Sequence, residues 1–201
     1  MNLVRALGSV GGLTLASRVL GLVRDSLFAR FVGAGFASDA FLVAFRLPNM
    51  FRALFAEGAF SAAFIPMFNQ RMAQDGGGLK AGLGFAEDAL SVLLPVLLVM
   101  LALAELLAWP ITYGLSGGFG NAAPRAFADA VLLSRLTLPY LLLISLVSLL
   151  GGILNSLDKF WVNAAAPILL NLTLIAALLA FHSADPMVTA RNQAIGVSVA
   201  G

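Results

Sequence analysis

Arginine is the residue type most out of place in this sequence. Arg18, Arg24, Arg46 and Arg52 stand inside long stretches of Leu, Val, Ala and Phe, accompanied by Asp25, Asp39 and Glu57. A guanidinium carries five N–H donors in a planar fork and keeps its charge at any physiological pH. In apolar surroundings such a group does one of two things. It binds an anion such as phosphate or carboxylate, or it pairs with a neighbouring acid.

Spacing decides which side chains can act together. Thr14, Ser17, Arg18, Gly21, Arg24, Asp25 and Phe28 follow the helical i, i+3, i+4, i+7 rule and form one stripe, opposed by Leu13, Leu20, Val23 and Leu27. In the next apolar stretch Asp39, Arg46 and Glu57 lie near one meridian. Asn49 is displaced to one side, Arg52 lies further round that side, and a kink at Pro48 would bring it nearer. Each arginine facing lipid at mid-membrane costs about 2.5–3.5 kcal/mol, so the set of four would cost on the order of 10 kcal/mol. They must face counter-charges, a water-filled cavity, or both.

Two readings follow. The acids could pair with the arginines simply to lock helices together, and arginines near helix ends can reach the headgroups. Arg30 and Asp39, close to the first loop, fit that reading. Arg18, Arg24 and Arg52, on a stripe of small residues, fit a site for phosphate or carboxylate, with Ser17 and Asn49 beside them. Arg135, next to Ser134, fits either. In the later stretches, Glu105 reads as an interfacial acid, and Asn163 and Asn171 read as interhelical hydrogen-bonding groups.

Other chemistry finds little footing. Cysteine is absent and the lone His182, beside Ser183 and Asp185, reads as a helix exit, so neither a metal site nor a catalytic set is expected. The runs Gly76-Gly77-Gly78 and Gly117-Gly118 lack the strand and lysine of a phosphate loop. No cofactor is expected. Basic runs with interleaved aromatics are missing, so a nucleic-acid partner is not expected either.

The elements that position these residues are helices in lipid. Of 201 residues, 60% are hydrophobic and 11% charged, whereas a soluble domain carries about 25% charge. A span needs about 20 apolar residues. Residues 89–109, 131–154 and 160–181 meet that test, and 4–31 and 37–68 are long enough but charged. A sixth span begins near 192, which leads to the expectation that the chain is part of a longer protein. Arg5 and the apolar run to Ala16 imitate a signal peptide, but Arg18 and Arg24 interrupt it, and a retained helix is expected. The fold class is therefore all-α, a polytopic transmembrane bundle of about five complete spans plus the start of a sixth. Arg5, Arg71, Lys80 and Lys159 in alternate connections, against Arg125 and Arg191, place the N-terminus in the cytoplasm. Pro48, Pro66, Pro95, Pro139 and Pro167 fall within the spans and are expected to kink them.

Four ordered motifs add a family resemblance. They are Ala16-Ser17-Arg18-Val19-Leu20-Gly21-Leu22-Val23-Arg24-Asp25, Ser38-Asp39-Ala40-Phe41, Phe45-Arg46-Leu47-Pro48-Asn49-Met50-Phe51-Arg52, and the segment from Ala56-Glu57-Gly58 to Phe64-Ile65-Pro66. Together they resemble the MurJ (MviN) family within the multidrug/oligosaccharidyl-lipid/polysaccharide exporter superfamily. Beyond Pro66 the resemblance rests on helix spacing and on Leu154-Asn155-Ser156. It implies a lipid II flippase of the bacterial inner membrane, moving an undecaprenyl-pyrophosphate-linked precursor by alternating access. It also implies two lobes around a cationic cavity, of which this chain covers the first. By the same resemblance Ser17, Arg18, Arg24, Asp39, Asn49 and Arg52 correspond to cavity or gating positions. The substrate-binding set is then Arg18, Arg24, Arg52, Ser17 and Asn49, and the gating or ion-pairing set is Asp25, Asp39, Arg46 and Glu57. The alternatives are another exporter of the superfamily, for a polyprenyl-linked oligosaccharide or a drug, and a non-transporting scaffold with every arginine sealed in an ion pair.

Overall fold

A computed structural model describes residues 3–56, 59–74, 77–117 and 124–201, and among these the regular structure is helical, with no strand. In chain order the helices are α1 (Leu3–Phe31), α2 (Phe36–Ala56), α3 (Ala59–Ala73), α4 (Gly78–Leu106), α5 (Ala108–Leu115), α6 (Pro124–Thr137), α7 (Tyr140–Ser156), α8 (Phe160–Ala180) and α9 (Pro186–Ala200).

The helix ends have local causes. Between α1 and α2 the chain turns through Gly33 and Gly35, at φ +72° and +154°, conformations that side chains other than glycine rarely adopt. The Ser38 hydroxyl donates to the Gly35 carbonyl at 2.8 Å and closes that turn. Asp39 then falls in the first turn of α2, where the helix dipole favours an acid. The α8–α9 turn is capped by Asp185, whose Oδ1 accepts from the Met187 N–H at 2.9 Å with Pro186 at the first helical position. Asn192 Nδ2 ties the same turn back to the Phe181 carbonyl at 2.7 Å. His182 stacks on Phe31 with ring centroids 4.4 Å apart, joining the ends of α1 and α8.

Packing is of two kinds. α2, α6, α7 and α9 close round a core that includes Ala40, Ala44, Ala130, Leu133, Tyr140 and Ala194. α3 and α4 lie against α7 through Phe64, Phe68, Ala86 and Leu149. Small residues make the close approaches possible. A Cβ at Gly152 would stand 2.8 Å from Phe64 Cδ1. Hydroxyls supply crosslinks: Thr137 Oγ1 donates to the Ala44 carbonyl and Thr112 Oγ1 to Ser134 Oγ, each at 2.9 Å.

The outer surface is the opposite of a soluble protein's. Val92, Val96, Val99 and Leu103 on α4 are all exposed, a patch that would drive aggregation in water and suits acyl chains. Gly78–Leu106, Phe127–Ser156 and Phe160–Ala180 are long and apolar enough to cross a bilayer. Trp109 follows the end of the first and Trp161 opens the third, at opposite ends of the crossing between them. Both are exposed, as interfacial tryptophans are.

Within 37–68 the described helices are α2 and α3, and residues 57 and 58 lie outside the described ones. The stretch 131–154 is part of a longer segment that begins at Pro124 and is interrupted at Leu138 and Pro139. Proline lacks the N–H that would close the helical turn and its ring crowds the preceding one. The helices of Pro48, Pro66, Pro95 and Pro167 run on through them.

Candidate functional site

The face of α1 that carries the charged stripe meets α8 rather than α2. α1 does touch α2, at Phe28 and Phe41, whose ring centroids are 4.9 Å apart. Arg24 is the hinge of the arrangement. Its Nε and Nη2 donate to Asp25 Oδ1 at 3.0 and 2.7 Å, and its Nη1 donates to Asn171 Oδ1 of α8 at 3.0 Å. Asn171 in turn donates through Nδ2 to the Ser17 carbonyl at 3.0 Å and to Ser17 Oγ at 3.4 Å. Ser17, Arg24 and Asp25 are thereby brought into one network by a residue that spacing had assigned only to helix packing.

That network is open on one side. The Arg24 side chain keeps 23% of its surface accessible and Asp25 66%. Beside the pair lies a cavity of about 80 Å³ walled by Phe28, Phe41, Phe45, Leu174 and Gln193. Gln193 is 2% exposed, and its Oε1 has no hydrogen-bond partner among the described residues. Sequence reasoning missed this amide, having read it only as part of an opening span.

Arg52 and Asn49 form a second centre. Arg52 Nε donates to Asn49 Oδ1 at 3.2 Å, one turn apart on α2. The guanidinium borders a cavity of about 190 Å³ whose polar wall includes Ser61, Tyr140, Ser148 and Asn163. Asn163 is itself spent on structure, donating to the Gly151 carbonyl at 3.0 Å.

The remaining candidates stand apart. Arg18 is exposed and makes no hydrogen bond or ion pair among the described residues. Arg46 meets no carboxylate among the described residues. Its Nη1 donates to the Leu115 carbonyl at 2.8 Å, at the end of α5, where orphan carbonyls attract cations. Asp39 is exposed at the start of α2 with no ion-pair partner among the described residues. Its place is explained by the helix dipole. Glu57 lies outside the described residues.

A bundle clad in exposed Leu and Val, with guanidinium groups lining cavities between its helices, defines a class: a multi-pass α-helical membrane protein. Comparison with known proteins narrows this. The family model described as lipid II flippase MurJ matches residues 28–201. A probable lipid II flippase MurJ of Rhizobium tropici is 42% identical over all of this chain and 38% of its own length. The lipid II flippase MurJ of Burkholderia cenocepacia is 42% identical over 88% of this chain and 34% of its own. A solved lipid II flippase MurJ in an inward closed conformation superposes with TM-score 0.76 at 26% identity, over 95% of this chain and 40% of that one. This chain belongs to the lipid II flippase MurJ family. It spans little more than a third of the length of the curated relatives it matches.

Proposed function

We infer that this chain is the N-terminal lobe of a lipid II flippase of the bacterial inner membrane, with its N-terminus in the cytoplasm. Arg18, Arg24 and Arg52 attract the pyrophosphate and acidic headgroup of the lipid-linked precursor. Asp25, Asp39 and Glu57 hold and release the arginines as the lobe changes state. Arg24 carries most of the weight in this reading. It is paired yet part exposed, and it rests on a neutral amide from another helix rather than inside a closed set of carboxylates. A scaffold would have every arginine sealed, and exposed, unpaired Arg18 counts against that.

The physical need is plain. A pyrophosphate crossing about 30 Å of hydrocarbon without partners meets a prohibitive solvation cost. Arginines fixed along a wet path replace water at that point, and forked donors match phosphate oxygens two at a time. The relatives are lipid II flippases by name, and the positively charged connections retain the cytoplasmic bias.

The test uses the full-length parent protein in cells depleted of their flippase. R24A and R52A should each insert normally and fail to support growth. A lost charge-assisted contact of about 1.5–3 kcal/mol corresponds to roughly 10- to 100-fold weaker cargo binding. Normal growth of both variants would sink the cavity role.

A further inference from the structure

We propose that Asn171 is a positioning residue for the cargo anion, holding the Arg24 fork with a neutral acceptor so that its charge is not cancelled a second time. The proposal rests on the reading that Arg24 meets the cargo. It concerns a residue in a helix that carries none of the arginines.

Three of the five guanidinium N–H groups are in use, two donating to Asp25 Oδ1 and one to Asn171 Oδ1. Among the described residues nothing takes the other two, which are left for an incoming oxyanion, and where they point depends on what fixes the fork. Asp25 is adjacent to Arg24 on the same helix and swings with it. Asn171 does not, because it comes from α8 and is 6% exposed. Its orientation is dictated by chemistry. The Ser17 carbonyl can only accept, so Nδ2 must face it, and the arginine can only donate, so Oδ1 must face Arg24. A flipped amide would set donor against donor and acceptor against acceptor.

The charge of the acceptor matters as much as its place. Arg24 already faces one carboxylate, which leaves the pair neutral overall. A second carboxylate at the same distance would make the cluster net negative and repel a pyrophosphate. An amide gives the hydrogen bond without the charge. Asn163, two turns earlier on α8, shows the contrast, because its amide clamps a backbone carbonyl of α7.

The experiment measures lipid II binding to the full-length parent protein in detergent micelles, with thermal melting recorded on the same samples. Binding is the readout, because Asp25 is also assigned a gating part. N171D should bind at least tenfold more weakly, and D25N/N171D should recover to within about threefold of the parent, because the fork again meets one carboxylate and one amide. A role confined to clamping α1 on α8 predicts no such recovery, since the donor to Ser17 stays lost in the double variant. Weak binding without rescue, or N171D binding like the parent, overturns the proposal. If N171D does not insert, N171A buries no new charge and serves instead. It should lose tenfold in affinity at unchanged melting temperature, and unchanged affinity overturns the proposal. R24A separates the two levels. Loss of binding in R24A with a normal N171D leaves the flippase reading standing and removes Asn171 from it, whereas normal binding in R24A takes Arg24 out of cargo binding and Asn171 with it.

Discussion

Gln193 is costly where it lies. A buried acceptor left without a donor costs about 1–3 kcal/mol, and Oε1 of this 2%-exposed side chain meets no donor among the described residues. Replacing it by an apolar residue of similar size removes the cost, so Q193L should melt at the same temperature as the parent or a few degrees higher. If the small cavity beside Arg24 serves transport, the same variant should complement flippase-depleted cells poorly. Thermal melting in detergent and growth, measured together, check both halves, and a stable Q193L that grows normally would return the amide to mere packing. The arginines were legible in the sequence because a charge inside an apolar run demands an explanation. Gln193 and Asn171 were not, because amides in membrane helices are common packing groups. What gives Asn171 its meaning is that α8 lies along α1, an adjacency set by the tertiary fold and not by spacing. The contact that Arg46 makes was hidden for the opposite reason. Its charge was visible, but its partner is a backbone carbonyl of α5, and no pattern of acids announces a helix end.

At the scale of elements, apolar length found helices and charge obscured their ends. α6 begins at Pro124, ahead of the apolar run, because Arg125 and Asp129 lower local hydropathy without breaking a helix. Proline gave an uneven signal. Pro139 interrupts its helix, whereas Pro48, Pro66, Pro95 and Pro167 do not, since the outcome depends on whether neighbouring helices let the crowded turn bend or hold it straight. Glycine marks close helix contact. The face of α7 at Gly152 admits the Phe64 ring so closely that a Cβ would sit 2.8 Å from Cδ1. G152V must therefore push α3 from α7 or force the ring off its rotamer, at about 1–3 kcal/mol. Melting of the full-length parent should fall accordingly, while Gly8, where a Cβ meets nothing within 4 Å, should tolerate alanine there without loss. Equal effects at both positions would mean that α3 and α7 are less tightly joined than described.

For the whole molecule the decisive question is which exposed surface meets lipid and which meets water. α4 and α1 both expose large apolar side chains, Val96 at 49% and Leu15 at 65% among them, so exposure alone does not separate the two. Charge does. The exposed side of α4 around Val92, Val96 and Val99 is apolar, while the exposed side of α1 also carries Arg18, and an arginine facing acyl chains costs about 2.5–3.5 kcal/mol with nothing to offset it. On the proposed function, α4 faces lipid and the wet path runs along α1. This segment contains no native cysteine, so single cysteines at 18, 24 and 96 can be placed in a full-length parent stripped of any others. A membrane-impermeant thiol reagent should label R18C readily, R24C more slowly from within its half-closed network, and V96C hardly at all, since thiolate forms only where water reaches. Lipid II should protect positions 18 and 24 and leave 96 unchanged. Silence at 18 and 24 from both sides of the membrane would mean that the arginines are sealed, and the scaffold reading would then explain the bundle better than transport.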